Sequence, residues 1–230
     1  MKIVHVCLGT PGKNSSGGGH VFHWQNVTAL ARLGHEVHVA IRDPKDPVED
    51  DLRASAASIQ YLTTLAPPRL SVDRLIGRAL RSETILYRFP EWGGVRRQLR
   101  TLVDQVKPDL VWADSIWSVP LVPDGVPYVY GHLDFVHQLR AVRERHFKKL
   151  LRRTDPYDAA GLRARELELA RGAAHVVSVS ASDHAELTSL GIASTYMPIV
   201  GDAIPRPAQP VGDVTRAFLI GRPNTAMKVT

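Results

Sequence analysis

Two apolar patterns alternate along this chain. Short runs rich in Val and Ile predict strands at Ile3–Leu8, Glu36–Ile41, Ile59–Leu62, Leu110–Ala113, Tyr128–Gly131, His175–Val179 and Ser194–Met197. Between them, apolar residues three and four apart predict helices over about Val21–Leu33, Val95–Val106, Val136–Arg153, a further segment to about Arg171, and Ala181–Leu190. Gly34 and Gly191 stop the first and last of these helices, and Pro108 stops the one that carries Leu99, Leu102, Val103 and Val106 on one face. From Thr63 to Gly94 the pattern weakens; Pro67-Pro68 opens a variable segment with one helix expected near Val72–Leu80. Regular strand–helix alternation predicts an α/β fold, a doubly wound parallel sheet with helices on both faces.

Gly17-Gly18-Gly19 lies between the first strand and the first helix. Residues without a Cβ let a phosphate approach the backbone, and the amides and dipole of a helix start favour an anion there. A flexible surface loop with glycine for turn geometry is the plain alternative. Two well-known phosphate loops are excluded. A P-loop requires G-x-x-x-x-G-K-[ST], but Cys7 and Asn14 stand where Gly and Ser or Thr belong around Gly12-Lys13. A dinucleotide fingerprint requires a third glycine where Phe22 stands, and the loop after Leu8 is too long for its tight turn. Asp43 could serve as a ribose acid after the second strand, but Arg42 and Pro44 make it a solvated loop residue.

Length changes the picture only by allowing one large domain: 230 residues can bury a substantial core. The sequence shows no apolar run near the ~18 residues that a membrane span needs, and it enters a strand directly with no leader pattern. Cys7, the single cysteine, sits inside the first strand and reads as a buried structural thiol. These features point to the cytoplasm. Asn26-Val27-Thr28 fits a glycosylation sequon but falls on a helix and reads as accidental. The net charge of +6 favours anionic partners. Basic residues gather at Arg96–Arg100 and at Arg140, Arg143, Arg145, Lys148, Lys149, Arg152 and Arg153. The latter share the helix 136–153 with Leu139, Val142, Phe147, Leu150 and Leu151. That pattern suits an anionic lipid surface or acceptor, or simply a solvated face opposite a packed one, which its apolar spacing favours.

Composition changes again from Gly201 to Asp213, where Pro205, Pro207, Pro210 and Gly212 lie among small polar residues. The expected organisation is a domain over 1–200, a linker over 201–215, and the start of a second domain over 216–230 opened by the strand Ala217–Ile220.

Several landmarks together resemble the N-terminal domain of the GT-B glycosyltransferases, in particular the retaining group called family 4. The glycine loop with Ala31-Arg32-Leu33-Gly34-His35-Glu36-Val37-His38-Val39 is similar to that family's opening. Lys107–Ala113 resembles its "kPDvvha" strand, and Val126–Asp134 its "vP.v...HD" strand end. Glu166–Ser180 resembles an "E…a…v..vS" segment, and Tyr196–Ile199 a degenerate "viPNGvD" in which Ile199–Asp202 replaces the usual Asn-Gly turn. The resemblance implies a Rossmann-like N-terminal half of a GT-B fold. It implies a transferase that passes a sugar from a nucleotide-sugar donor to a glycan, lipid or small-molecule hydroxyl. The N-terminal domain would bind the acceptor, no metal or other cofactor would be required, and a fragment without the donor domain would be inactive. A nucleotide-sugar epimerase of the same fold and a non-catalytic carbohydrate- or nucleotide-binding module are the alternatives. No nucleic-acid partner is expected, and the basic helix leaves room for peripheral contact with the inner membrane face.

Candidate residues follow from strand ends, because open α/β sheets bind ligands at the carboxyl ends of their strands. His132 ends a strand; it reads as a loop histidine bonded to backbone or, by the resemblance, as the residue facing the transferred sugar. The resemblance also places Gly17, Gly18 and Gly19 near the donor phosphates. Acceptor candidates are His20 beside the last glycine, Asp114 and Ser115 at a strand end expected to point into the same cleft, Trp117 as a stacking or packing ring, and Asp134. Asp134 also reads as the N-cap of the next helix, and Ser180 either as a ligand contact at its strand end or as the N-cap of Ala181–Leu190. His23 reads as a packed or surface helix residue. Neither H-E-x-x-H nor paired cysteines occur, so no metal signature is present, and there is no G-x-S-x-G elbow.

Overall fold

The structure, a computed structural model, describes residues 1–15, 17–42, 44, 46–62, 90–146 and 159–199. The expected helix near 72–80, the linker over 201–215, the domain start over 216–230, Asp43, and the basic residues Lys148, Lys149, Arg152 and Arg153 lie outside them.

The described elements run β1 (Lys2–Cys7), α1 (Gly18–Arg32), β2 (Glu36–Arg42), α2 (Asp50–Ser55), β3 (Ser58–Leu62), α3 (Pro90–Val106), β4 (Leu110–Asp114), a 3-10 turn (Val119–Leu121), β5 (Tyr128–His132), α4 (Val136–His146), α5 (Ala159–Gly172), β6 (His175–Ser178), α6 (Ala181–Ser189) and β7 (Ser194–Tyr196). The strands form one seven-stranded sheet in the order β3-β2-β1-β4-β5-β6-β7, every pair parallel. This is the doubly wound Rossmann-like sheet, and its order reverses between β1 and β4.

Strand alternation divides the core into two layers. In β1, Val4 and Val6 face a layer that holds Leu99, Leu102 and Val103 of α3 and Leu162 and Leu167 of α5. Cys7 faces Val27 of α1 and Leu52 of α2, while Ile3 packs on Phe22. A central parallel strand covered on both faces is mostly apolar, and Ile3, Val4, Val6 and Cys7 are all buried; His5, also buried, is its polar exception.

The helix stops follow the expected chemistry. At the end of α1, Gly34 takes φ +83°, its amide bonds to Ala31 and the next amide to Leu30. After α6, Gly191 takes φ +72°, and the Ile192 amide returns to Leu187. Helix α1 begins three residues earlier than its apolar pattern predicts, because Gly18 and Gly19 join its first turn behind Gly17 as N-cap. Helix α2 and the 3-10 turn have too few apolar residues to show a period. Among the described residues, no helix is long and apolar enough to cross a membrane.

Candidate functional site

Parallel pairing brings the ends of β1, β4, β5 and β6 to one edge of the sheet. The Gly17–Gly19 run opens α1 at this edge. Among the described residues no side chain caps the helix, and its first turn holds no acidic residue to offset the positive end of its dipole. A Cβ on Gly19 would lie 3.3 Å from Cδ1 of Leu133, the residue after β5, and one on Gly18 would lie 3.6 Å from Cδ1 of Ile199. The glycine run, the end of β5 and the segment after β7 therefore share one wall.

The loop before the run is strapped in place. Glu49 accepts from the amides of Lys13 and Asn14 at 2.9 and 3.2 Å, and the Thr10 hydroxyl donates to the Asp46 carbonyl at 2.8 Å. His20 meets the Ser15 hydroxyl through Nδ1 at 2.9 Å. Its Nε2 lies 2.5 Å from where a Cβ of Gly9 would stand, so Gly9 is what lets the loop close on the ring. His20 thus lines the loop, half-buried, beside the glycines it follows.

His132 ends β5 with its ring 0% exposed. Tyr130 and Phe135 pack edge-on against it, with centroids 5.5 and 4.5 Å away. Its Nδ1 lies 3.7 Å from Oδ2 of Asp183, and among the described residues neither ring nitrogen has a hydrogen-bond partner. Burial lowers its pKa to about 4, against the pull of Asp183, so the ring is neutral near pH 7. The ring is therefore enclosed at the strand end, not displayed on an open loop. Asp183 carries no strand-end or motif signal; only the fold brings it to His132.

Asp114 departs from expectation. Its carboxylate is 0% exposed and does not open into the cleft. It accepts from Trp112 Nε1 at 2.8 Å and His23 Nδ1 at 2.5 Å, and His5 Nε2 lies 3.1 Å away. These partners hold its pKa below the usual value although burial alone would raise it. His23 is buried and packed, as one of its two readings had it. Ser115 follows at φ +80°, a left-handed conformation uncommon outside glycine, and its hydroxyl accepts from the Trp117 amide at 3.2 Å. Trp117 is half-buried against the α3-side core.

Asp134 is corrected as a helix cap. The first amides of α4, at Val136 and His137, donate to the Glu166 carboxylate at 2.6 and 3.2 Å, and His137 Nδ1 adds a contact at 2.5 Å. Glu166 reaches them from α5, so tertiary packing replaces the local cap. Asp134 stays exposed, its pKa raised by desolvation and by Asp183. Ser180 does cap α6, accepting from the Asp183 amide at 3.3 Å.

His5, Cys7 and Asp114 place ligand atoms within 4.8 Å of one another, a spacing that a metal could use. The geometry is instead a chain: the His5 ring meets Cys7 Sγ through Nδ1 at 2.9 Å and Asp114 through Nε2. One ring bridging two groups with its two nitrogens does not converge on a common centre. Burial raises the Cys7 thiol pKa well above its ordinary value and lowers that of His5 to about 4, which suits a protonated thiol beside a neutral ring.

The sequence model of Glycosyltransferase Family 4 matches residues 16–200. Among solved structures, sucrose-phosphate synthase from Thermosynechococcus elongatus is similar with a TM-score of 0.54 and 15% identity, over 86% of this chain and 47% of that chain. Phytolacca americana UGT2, solved with UDP-2fluoro-glucose and pterostilbene, gives 0.49 and 14%, over 88% of this chain and 55% of that one. At such identity the first likeness speaks to the fold alone. The chain spans about half the length of both proteins. No curated protein sequence matches it significantly.

Proposed function

The chain belongs to Glycosyltransferase Family 4, and we propose that it forms the acceptor-binding half of a transferase that moves a sugar from a nucleotide-sugar donor to a hydroxyl of a glycan, lipid or small molecule. The observation that carries this reading is the shared wall: a Cβ on Gly19 would stand 3.3 Å from Leu133, next to His132. In this reading an amide-rich helix start and a neutral imidazole work at one cleft edge. The α1 amides suit a departing diphosphate, since preorganised donors stabilise the charge that develops on it. His132 would face the transferred sugar. Acceptor contacts would come from His20, Ser115, Trp117 and Asp134, the residues of this edge that are not enclosed; Asp114 would act from beneath by holding His5 and His23.

The chemistry needs no metal in this reading, because amides and basic groups of a donor domain supply the positive field. That domain would begin in 216–230 after a linker over 201–215. A cytoplasmic setting fits the single buried thiol. Peripheral contact with an anionic membrane would rest on Arg143, Arg145, Lys148, Lys149, Arg152 and Arg153, since Arg140 is itself buried.

The test uses the full-length enzyme. His132→Gln should lower kcat strongly while the melting temperature stays close to wild type, and the 230-residue chain alone should turn over no donor. Undiminished transfer by His132→Gln would overturn the role given to this edge.

A further inference from the structure

His132 is fully enclosed, yet neither ring nitrogen has a hydrogen-bond partner among the described residues. A buried polar group left unpaired is costly, and a ligand group that reached this ring would offset that cost. Tyr130 and Phe135 offer it ring edges. His137 is committed to Glu166 through Nδ1. The group aimed at the ring is the carboxylate of Asp183, with Oδ2 3.7 Å from Nδ1. Its other oxygen accepts from the Ser182 hydroxyl at 3.3 Å, and its amide is anchored on the Ser180 hydroxyl. Both contacts fix the side chain on the first turn of α6, where the helix dipole favours negative charge.

We propose that Asp183 is a positioning residue for His132: it selects the tautomer with the proton on Nδ1, leaving the Nε2 lone pair to accept a hydrogen bond from a sugar hydroxyl. This rests on the functional reading given above. A carboxylate only accepts, so the nitrogen that faces it must be the donor, and a neutral imidazole then presents its other nitrogen as an acceptor. The 3.7 Å separation is longer than a hydrogen bond; bonds of this kind are often long without ligand and tighten when the site fills. Asp134, two residues past His132, adds a second carboxylate on the Asp183 side. This end of the cleft is therefore built of acceptors, and the ligand group that meets it brings donors, as hydroxyls do and a phosphate does not.

The test reads the tautomer directly. In the 15N-labelled 230-residue chain, with His132 assigned by difference against His132→Gln, long-range 1H–15N correlation should show the proton on Nδ1. Asp183→Ala and the isosteric Asp183→Asn should both shift population towards the Nε2 proton. In the full-length enzyme, Asp183→Asn should lower kcat by roughly tenfold or more with acceptor KM within about twofold. A wild-type ring protonated on Nε2, a tautomer indifferent to Asp183, or an effect confined to KM would each overturn the proposal. If His132→Gln leaves transfer intact, the functional reading fails instead, and the tautomer arm still judges the pairing by itself.

Discussion

Gly131→Ala tests whether the buried carboxylate of Asp114 holds the centre of the sheet. Gly131 has no unusual φ; its need is steric. A Cβ there would lie 1.7 Å from Asp114 Oδ1, 2.9 Å from its Cγ and 3.1 Å from Trp112 Nε1. Ordinary carbon contacts lie near 3.5–4.0 Å, so the carboxylate must leave. It cannot do so and keep Trp112 at 2.8 Å, His23 at 2.5 Å and His5 at 3.1 Å. Overpacking alone costs about 1–3 kcal/mol, and separating a buried charge from its partners about 3–5 kcal/mol. The displaced carboxylate sets the larger figure, so we expect a loss of about 3–5 kcal/mol, a large part of the roughly 5–15 kcal/mol that holds a domain together. With a urea slope near 2 kcal/mol/M, the unfolding midpoint should fall by roughly 2 M. Gly19→Ala is the control. Its Cβ meets only the tip of Leu133 at 3.3 Å, and alanine is the better helix former by about 0.5–1 kcal/mol. A Gly131→Ala midpoint within error of wild type would refute the assignment of Asp114 as the tie between β1, α1 and β4.

Burial holds His5 and His132 at about 4 instead of 6.5. The unfolded chain therefore binds protons that the fold refuses, so stability is full above pH 6.5 and falls as pH drops towards 4. Two such groups give a slope of up to about 2.7 kcal/mol per pH unit within that window. Urea midpoints at pH 7, 6 and 5 should show this decline and His132→Gln should flatten it; a level wild-type profile would count against both burials. Glu166→Ala removes the acceptor for the Val136 and His137 amides and should cost about 2–4 kcal/mol in thermal unfolding; a loss below about 1 kcal/mol would show that α4 is capped otherwise. Glu49→Ala should speed hydrogen exchange at the Lys13 and Asn14 amides, with unchanged protection there refuting the strap.

Much of the architecture is legible because it is local. The β-branched runs of β1, β2, β4 and β6, and the glycines at 34 and 191, announce strands and helix stops within a few residues. The site is legible only where a strand ends, which is why His132 and the glycine run come forward and their common wall can be anticipated. What sequence does not carry is who reaches a given end. His23 meets Asp114 across 91 residues, and Glu166 meets Val136 across 30. Asp114 looks like a strand-end acid facing ligand because its neighbours in sequence do not show that His23 and His5 close over it. Asp134 looks like a cap because the better-placed carboxylate comes from another helix. Asp183 resembles any first-turn acid until β5 and β6 lie side by side.

The strand order also dictates an order of assembly. β1 is made first but lies in the middle, paired with β2 on one flank and β4 on the other. Until the chain has been extended through Asp114, one whole flank of β1 is an open parallel edge, with apolar side chains above and below. Such an edge is a template for pairing with other chains, and closing it requires bringing together segments about a hundred residues apart, a slow kind of step. A nascent chain stalled before Leu110 would carry that edge along with His5 and His23 still lacking their carboxylate. Translation past β4 thus closes that flank of β1 and passes the open edge outward to β4, which β5 covers in turn.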